Sequence, residues 1–156
     1  MHPNFAAVAD ALHDPFERLI GQEPRRANDP WPKHKVRGVY LFSEAGRHLY
    51  VGRTNDVRAR YGRHCLPGAH YRMAAFAFRL AREATGQLKP TYKAGAGSRS
   101  GLAADPDFKA AFDAAKARLR DMDFRYVEEP DPVRQCVLEI YCAVALETPY
   151  NDFDNH

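Results

Sequence analysis

One carboxylate stands alone in an apolar run: Glu139, within Cys136-Val137-Leu138-Glu139-Ile140-Tyr141-Cys142-Ala143-Val144. A helix that is apolar nearly all round is a buried helix. A carboxylate inside it must be paired, protonated or bound to a metal, because burying a bare charge is very unfavourable. Three readings stand side by side: an ion pair with a core arginine, a narrow stripe facing solvent, or a metal ligand. Two tyrosines, Tyr40 and Tyr50, lie in β-branched and aromatic runs. Such phenols either pack a sheet or present hydroxyls to a substrate. Arg60 and His64 are four residues apart, hence neighbours on one helix face. The set supplies carboxylate, phenol, guanidinium and imidazole, which can hold a hard cation, contact an anion and move a proton.

These residues need elements to position them. Residues 5–21 carry Phe5, Val8, Leu12, Phe16 and Leu19 at helical spacing, which predicts one helix. Residues 22–35 are rich in Pro and charge and read as a connection, whose Arg25 and Arg26 either touch phosphates or are solvated. Residues 36–42 and 48–52 read as strands joined through Ser43–Arg47, a β-hairpin. A turn centred on Ala45 sets Tyr40 opposite Tyr50, with both rings on one face. Thr54-Asn55-Asp56 starts a helix that runs to about His64. A second helix spans about 70–85. The Gly-, Ser- and Lys/Arg-rich residues 86–106 predict a long flexible basic loop. Residues 107–120 read as a helix and 124–127 as a third strand. Asp131 caps a last helix, with Pro132 at its first position, running to about Leu146. The predicted fold is α/β (α+β): a small, mainly antiparallel three-stranded sheet flanked by helices. Residues 1–35 are an N-terminal helix and linker, and residues 36–156 one domain with a helical and basic-loop insertion at about 66–120.

The 156 residues suit a single domain with its own core. No apolar run reaches the roughly 18 residues of a membrane-spanning helix, and no secretory signal is visible. The three cysteines, Cys65, Cys136 and Cys142, form no CxxC pair, so they read as reduced, buried thiols of a cytoplasmic protein. The histidines other than His64 (His2, His13, His34, His48, His70 and His156) lack zinc-type spacing and read as surface residues. Gly95–Gly101 lacks the GK[ST] ending of a phosphate loop. Charge is uneven. Residues 1–120 hold 21 Lys/Arg against 11 Asp/Glu, and residues 121–156 hold 2 against 9. A basic body suits a polyanion, because Lys and Arg displace counterions from phosphates.

Gly38-Val39-Tyr40 followed by Tyr50-Val51-Gly52 resembles the signature of the GIY-YIG nuclease superfamily, with valine in place of isoleucine in both triplets. Arg53 follows the second triplet, where the repair enzymes of the family tend to have lysine. Arg60 and His64 match the positions of the family's first-helix arginine and of its His or Tyr. Glu139 matches the metal-binding glutamate of the last helix, and Pro149-Tyr150-Asn151 the family's ending. The resemblance covers about residues 36–65 and 124–153. Residues 1–33 and 66–120 fall outside it, and the latter stretch would choose the target.

The resemblance implies a metal-dependent endonuclease that hydrolyses phosphodiester bonds in nucleic acid, DNA in preference to RNA or structured nucleic acid. A non-catalytic nucleic-acid-binding module is the alternative. Glu139 would hold Mg²⁺ or Mn²⁺, hard cations that keep several waters, so that one carboxylate suffices. Arg60 would contact the phosphate, since its fork matches two oxygens. Arg53 would do the same or steady a tyrosine. Tyr40 is the family's favoured base, and His64, with a better unperturbed pKa for the task, is its rival. Tyr50 would orient water or phosphate, and Asn151 would position Tyr40, backbone or phosphate. Arg58, Arg63, Lys93 and Arg99 are candidate substrate contacts.

Overall fold

The computed structural model describes residues 1–87 and 93–153. In chain order the elements are α1 (Pro3–Asp10), α2 (His13–Gly21), β1 (Gly38–Glu44), β2 (Arg47–Thr54), α3 (Val57–Cys65), α4 (Ala75–Ala84), α5 (Arg99–Ala104), α6 (Pro106–Asp121), β3 (Asp123–Glu128) and α7 (Pro132–Ala145). The fold is α+β, as expected. The chain divides into two compact units, residues 1–58 with 122–156, and residues 59–121.

The first unit is built on an antiparallel sheet of order β2-β1-β3. Ala45 and Gly46 both take positive φ, 49° and 77°, as a tight two-residue hairpin turn requires. An irregularity between Phe42 and Ser43 then shifts the register, so Tyr40 lies opposite Gly52, and Tyr50 opposite Phe42. The expectation that Tyr40 would face Tyr50 directly is thereby corrected. The two-residue turn at Ala45–Gly46 and the irregularity each offset the pairing by one residue, two in all, and the two tyrosines meet diagonally.

Alternation divides the sheet into two faces. Val39, Leu41, Val51 and Val127 point to one face and pack with Leu12, Leu19, Leu138 and Cys142, so this face carries the core beneath α2 and α7. Tyr40, Phe42, Tyr50, Phe124 and Tyr126 point to the other. There the Tyr40 ring stacks on Phe124, with centroids 5.7 Å apart. Trp31 lies across Phe124 and Tyr126 at 5.9 and 6.2 Å.

Three further expectations change in this unit. The single helix at 5–21 is two helices, α1 and α2. Pro15 has no N–H to donate to Ala11, and its ring would clash in an unbroken helix. The connection at 22–35 is not only solvated charge. Arg25 forms an isolated bridge with Phe124, Arg26 pairs with Asp123 at 2.6 Å, and the Arg25 guanidinium sits 5.3 Å from the centre of the Tyr126 ring. Finally, α7 is not buried all round. Gln135, Leu138, Cys142 and Ala143 form its buried side, whereas Val133, Ile140 and Val144 are exposed. Its cap is as expected: Asp131 accepts a hydrogen bond from the Arg134 N–H at 2.8 Å, ahead of Pro132.

The second unit contains α4, α5, α6 and residues 59–65 of α3. Phe78 of α4 packs on Phe108 and Phe112 of α6, with centroids at 5.0 and 6.2 Å. Lys116 is buried and donates to the Pro67 carbonyl at 2.7 Å while pairing with Asp113 at 3.0 Å. The long flexible loop expected at 86–106 is in part ordered. Ser98 caps α5, accepting from the Gly101 N–H at 3.1 Å, and Gly101 lies flush on the Gly95–Ala96 backbone, where a Cβ would collide. Residues 88–92 of that stretch lie outside the described residues.

Candidate active site

Tyr40 and Tyr50 come together as ring neighbours, with centroids 6.3 Å apart on the aromatic face. Their exposure differs. Tyr40 is buried, with 1 % of its surface accessible, whereas Tyr50 is half-buried. The glycines of both triplets have a packing reason. A Cβ at Gly52 would overlap the Tyr40 hydroxyl, and one at Gly38 would overlap the Val127 carbonyl. Glycine is thus required wherever a ring or a neighbouring strand approaches this closely.

Arg53 and Glu139 form the second pair. Arg53 Nε donates to Glu139 Oε2 at 3.0 Å. The side chains are 46 % and 22 % exposed, so the carboxylate is reachable from solvent. The ion-pair reading of Glu139 therefore describes the structure, except that the arginine lies at the margin rather than in the core. Arg53 holds the carboxylate, where a phosphate or a tyrosine had been expected as its partner. By alternation Arg53 points to the α7 face and Tyr40 to the other. Gly52 and Arg53 are consecutive, so the Tyr40 hydroxyl and the Glu139 carboxylate reach neighbouring residues of the edge strand β2 from opposite faces.

Asn151 holds backbone. Its Oδ1 accepts from the Val51 N–H at 2.8 Å, and its Nδ2 donates to the Val51 carbonyl at 2.8 Å. Together with the Tyr150 N–H on the Leu49 carbonyl at 3.1 Å, this places a strand-like partner along the outer edge of β2. Thr148, which sequence reasoning did not single out, fixes the amide by donating to its Oδ1 at 2.8 Å. Its only signal was a place three residues before Asn151.

The remaining candidates are spread more widely. Arg58, at the end of the first unit's leading segment, is exposed. In the second unit Arg60 donates to the Met73 carbonyl at 3.4 Å, Arg63 and Lys93 are exposed, and Arg99 Nη2 donates to the Tyr71 carbonyl at 2.9 Å. His64 has no exposed surface. Burial, with Arg60 nearby, pushes its imidazole down to about 3, so it is neutral at pH 7. Cys65 and Cys142 are buried, which pushes their thiols up to about 11 and 12 and leaves them protonated and poor nucleophiles. His48, expected at the surface, is half-buried and hydrogen-bonded through Nδ1 to Ser43 Oγ at 2.9 Å. His156 lies outside the described residues.

Among the described residues no group of three or more His, Cys, Asp or Glu is placed to hold a metal ion. A cation at Glu139 would draw one carboxylate from the protein and the rest of its shell from water and substrate. That donor set fits Mg²⁺ or Mn²⁺. Among the described residues, no helix is long and apolar enough to cross a membrane. Comparison of the chain with models of protein families, with curated proteins and with solved structures found no match in any of the three.

Proposed function

We propose that this chain is a metal-dependent endonuclease acting on nucleic acid, with DNA the favoured polymer. The reading rests on the resemblance of its ordered motif, and one observation carries it. Gly52 and Arg53, consecutive on an edge strand, receive the Tyr40 hydroxyl and the Glu139 carboxylate. Because they arrive from opposite faces, a phosphodiester lying over this strand end would meet the guanidinium and the solvent-reachable carboxylate on one side and the half-buried Tyr50 phenol on the other.

Glu139 would hold Mg²⁺ or Mn²⁺, and the ion would supply Lewis-acid stabilisation of charge on the scissile phosphate and the leaving oxygen. The protein's own groups do the rest. Arg53 keeps Glu139 oriented at the strand margin and offers its remaining N–H groups to phosphate oxygens. Tyr50, the more exposed phenol, orients the attacking water by its hydroxyl, the proton that water loses passes to solvent at this margin, and the leaving oxygen takes one up from solvent. Tyr40, buried against Phe124, fixes the Tyr50 ring and backs it with a second hydroxyl. Asn151 acts as a positioning residue by clamping Val51, between Tyr50 and Gly52. Arg60 is assigned a phosphate contact on the resemblance alone.

The Arg53–Glu139 ion pair also favours a second reading, since a carboxylate already neutralised needs no metal. In that reading the chain is a nucleic-acid-binding module without catalysis. The test is a cleavage assay on supercoiled plasmid, branched DNA and structured RNA, with Mg²⁺, Mn²⁺ or EDTA, beside Glu139→Ala. Cutting that requires metal and disappears in the variant is the expected result. Retention of binding with no cutting on any substrate would establish the second reading instead.

A further inference from the structure

Among the described residues, Arg82 and Arg99 of the second unit have no carboxylate partner. Phe78 and Arg82 are four apart on α4, so they share a helix face. The Arg99 guanidinium lies 4.6 Å from the centre of the Phe78 ring and donates to the Tyr71 carbonyl. Arg82 is the buried member, with 8 % of its surface accessible; its Nε donates to the Gln87 carbonyl at 2.6 Å. Its Nη2 is buried and has no hydrogen-bond partner among the described residues. Burial and the Arg99 charge both push the Arg82 pKa down, the sign of a cation short of compensation. Among the described residues neither arginine pairs with a carboxylate, and residues 88–92, Leu-Lys-Pro-Thr-Tyr, contain none.

Buried charge is normally paired, and two like charges on one face raise the cost of leaving it unpaired. An anion resolves both problems. We propose that Arg82 and Arg99 form a phosphate-binding subsite, in which exposed Arg99 contacts one phosphate of a nucleic-acid backbone and Arg82 reinforces it with a second charge. This rests on nucleic acid being the partner, as proposed above. Arg82 was not among the residues the sequence pointed to, because an arginine on an amphipathic helix ordinarily faces water.

The test measures binding of a short duplex DNA and of a structured RNA in EDTA, over a range of salt. It compares wild type with Arg99→Gln, Arg82→Met and, as a control for lost charge, Arg18→Gln on α2. Thermal unfolding with inorganic phosphate against chloride at equal ionic strength accompanies it. The expected result has two parts. The log–log salt slope for the preferred polymer falls by about one in Arg99→Gln, which loses the phosphate contact, falls by less in Arg82→Met, and does not change in Arg18→Gln. Phosphate raises Tm in wild type and not in the site variants. Should Arg82→Met fail to fold, Arg99→Gln gives the same readings alone. Variants that bind as wild type does, or an Arg18→Gln effect as large as theirs, would overturn the subsite and leave the nuclease reading standing. A phosphate-dependent rise in Tm without binding of either polymer would overturn the backbone assignment in favour of a small phosphorylated ligand. Absence of both binding and Tm shift in wild type would overturn the subsite together with nucleic acid as the partner.

Discussion

At the scale of single residues, Gly52 ties the two triplets together. The Tyr40 hydroxyl occupies the place a side chain would take, so the second triplet ends in glycine because the first ends in tyrosine. Gly52→Ala forces the buried ring off its rotamer and is expected to cost about 1–3 kcal/mol in urea unfolding. A variant as stable as wild type would mean that the ring has another place to go. Arg53→Ala separates structure from function differently. The pair it breaks is partly exposed, so stability should change by no more than about 1 kcal/mol. Cleavage should nevertheless fall by about tenfold or more, because Glu139 loses its orientation and the phosphate a donor. The sequence pointed to both residues of this pair, through a lone carboxylate in an apolar run and an arginine after the triplet. That they hold each other was not legible, since ion pairing depends on where α7 crosses β2, and no local spacing encodes a crossing.

At the scale of elements, the strands and most helices were legible because their periodicity is local. The departures were all set by a non-local or single-residue cause. Pro15 divided the first helix, the two-residue turn at Ala45–Gly46 and an irregularity at Phe42–Ser43 moved the hairpin register, and Gly101 allowed α5 to close on its own loop. Apolar residues around α7 suggested full burial, yet only one side meets the sheet, and composition cannot say which apolar residues find a partner. The outer edge of β2 shows a different device. A lone strand edge leaves backbone donors and acceptors bare. Here a single asparagine satisfies both groups of Val51. Asn151→Ala removes two hydrogen bonds to a strand backbone and should destabilise by about 1–3 kcal/mol. Asn151→Asp should be no better, because one carboxylate oxygen would face the Val51 carbonyl where an N–H now donates. Urea midpoints of the two variants decide this; an aspartate as stable as the native residue would show that water can replace the donor.

At the scale of the whole molecule, the basic body and acidic C-terminal stretch were plain in the sequence, whereas burial of His64 was not, since a histidine four residues from an arginine reads as a surface pair. Its burial gives the chain a built-in dependence on pH. The folded-state pKa is lowered, from 6.5 to about 3, so the unfolded chain takes up a proton that the folded chain refuses. Stability from this source is therefore complete above about pH 6.5 and is lost as pH falls toward 3. Between those limits the slope is about 1.4 kcal/mol per pH unit, or about 2 kcal/mol lost between pH 6.5 and 5. Carboxylates titrate mostly below that window. His48, also lowered by burial and by Arg125, acts in the same direction. The comparison that isolates His64 is wild type against His64→Leu, with urea unfolding at pH 7 and pH 5. Wild type should lose more stability than the variant, by up to about 2 kcal/mol. Equal losses would mean that His64 is protonated in the folded chain at pH 5. An imidazole that accepts a proton there is solvated, and it would again rival Tyr40 as the base.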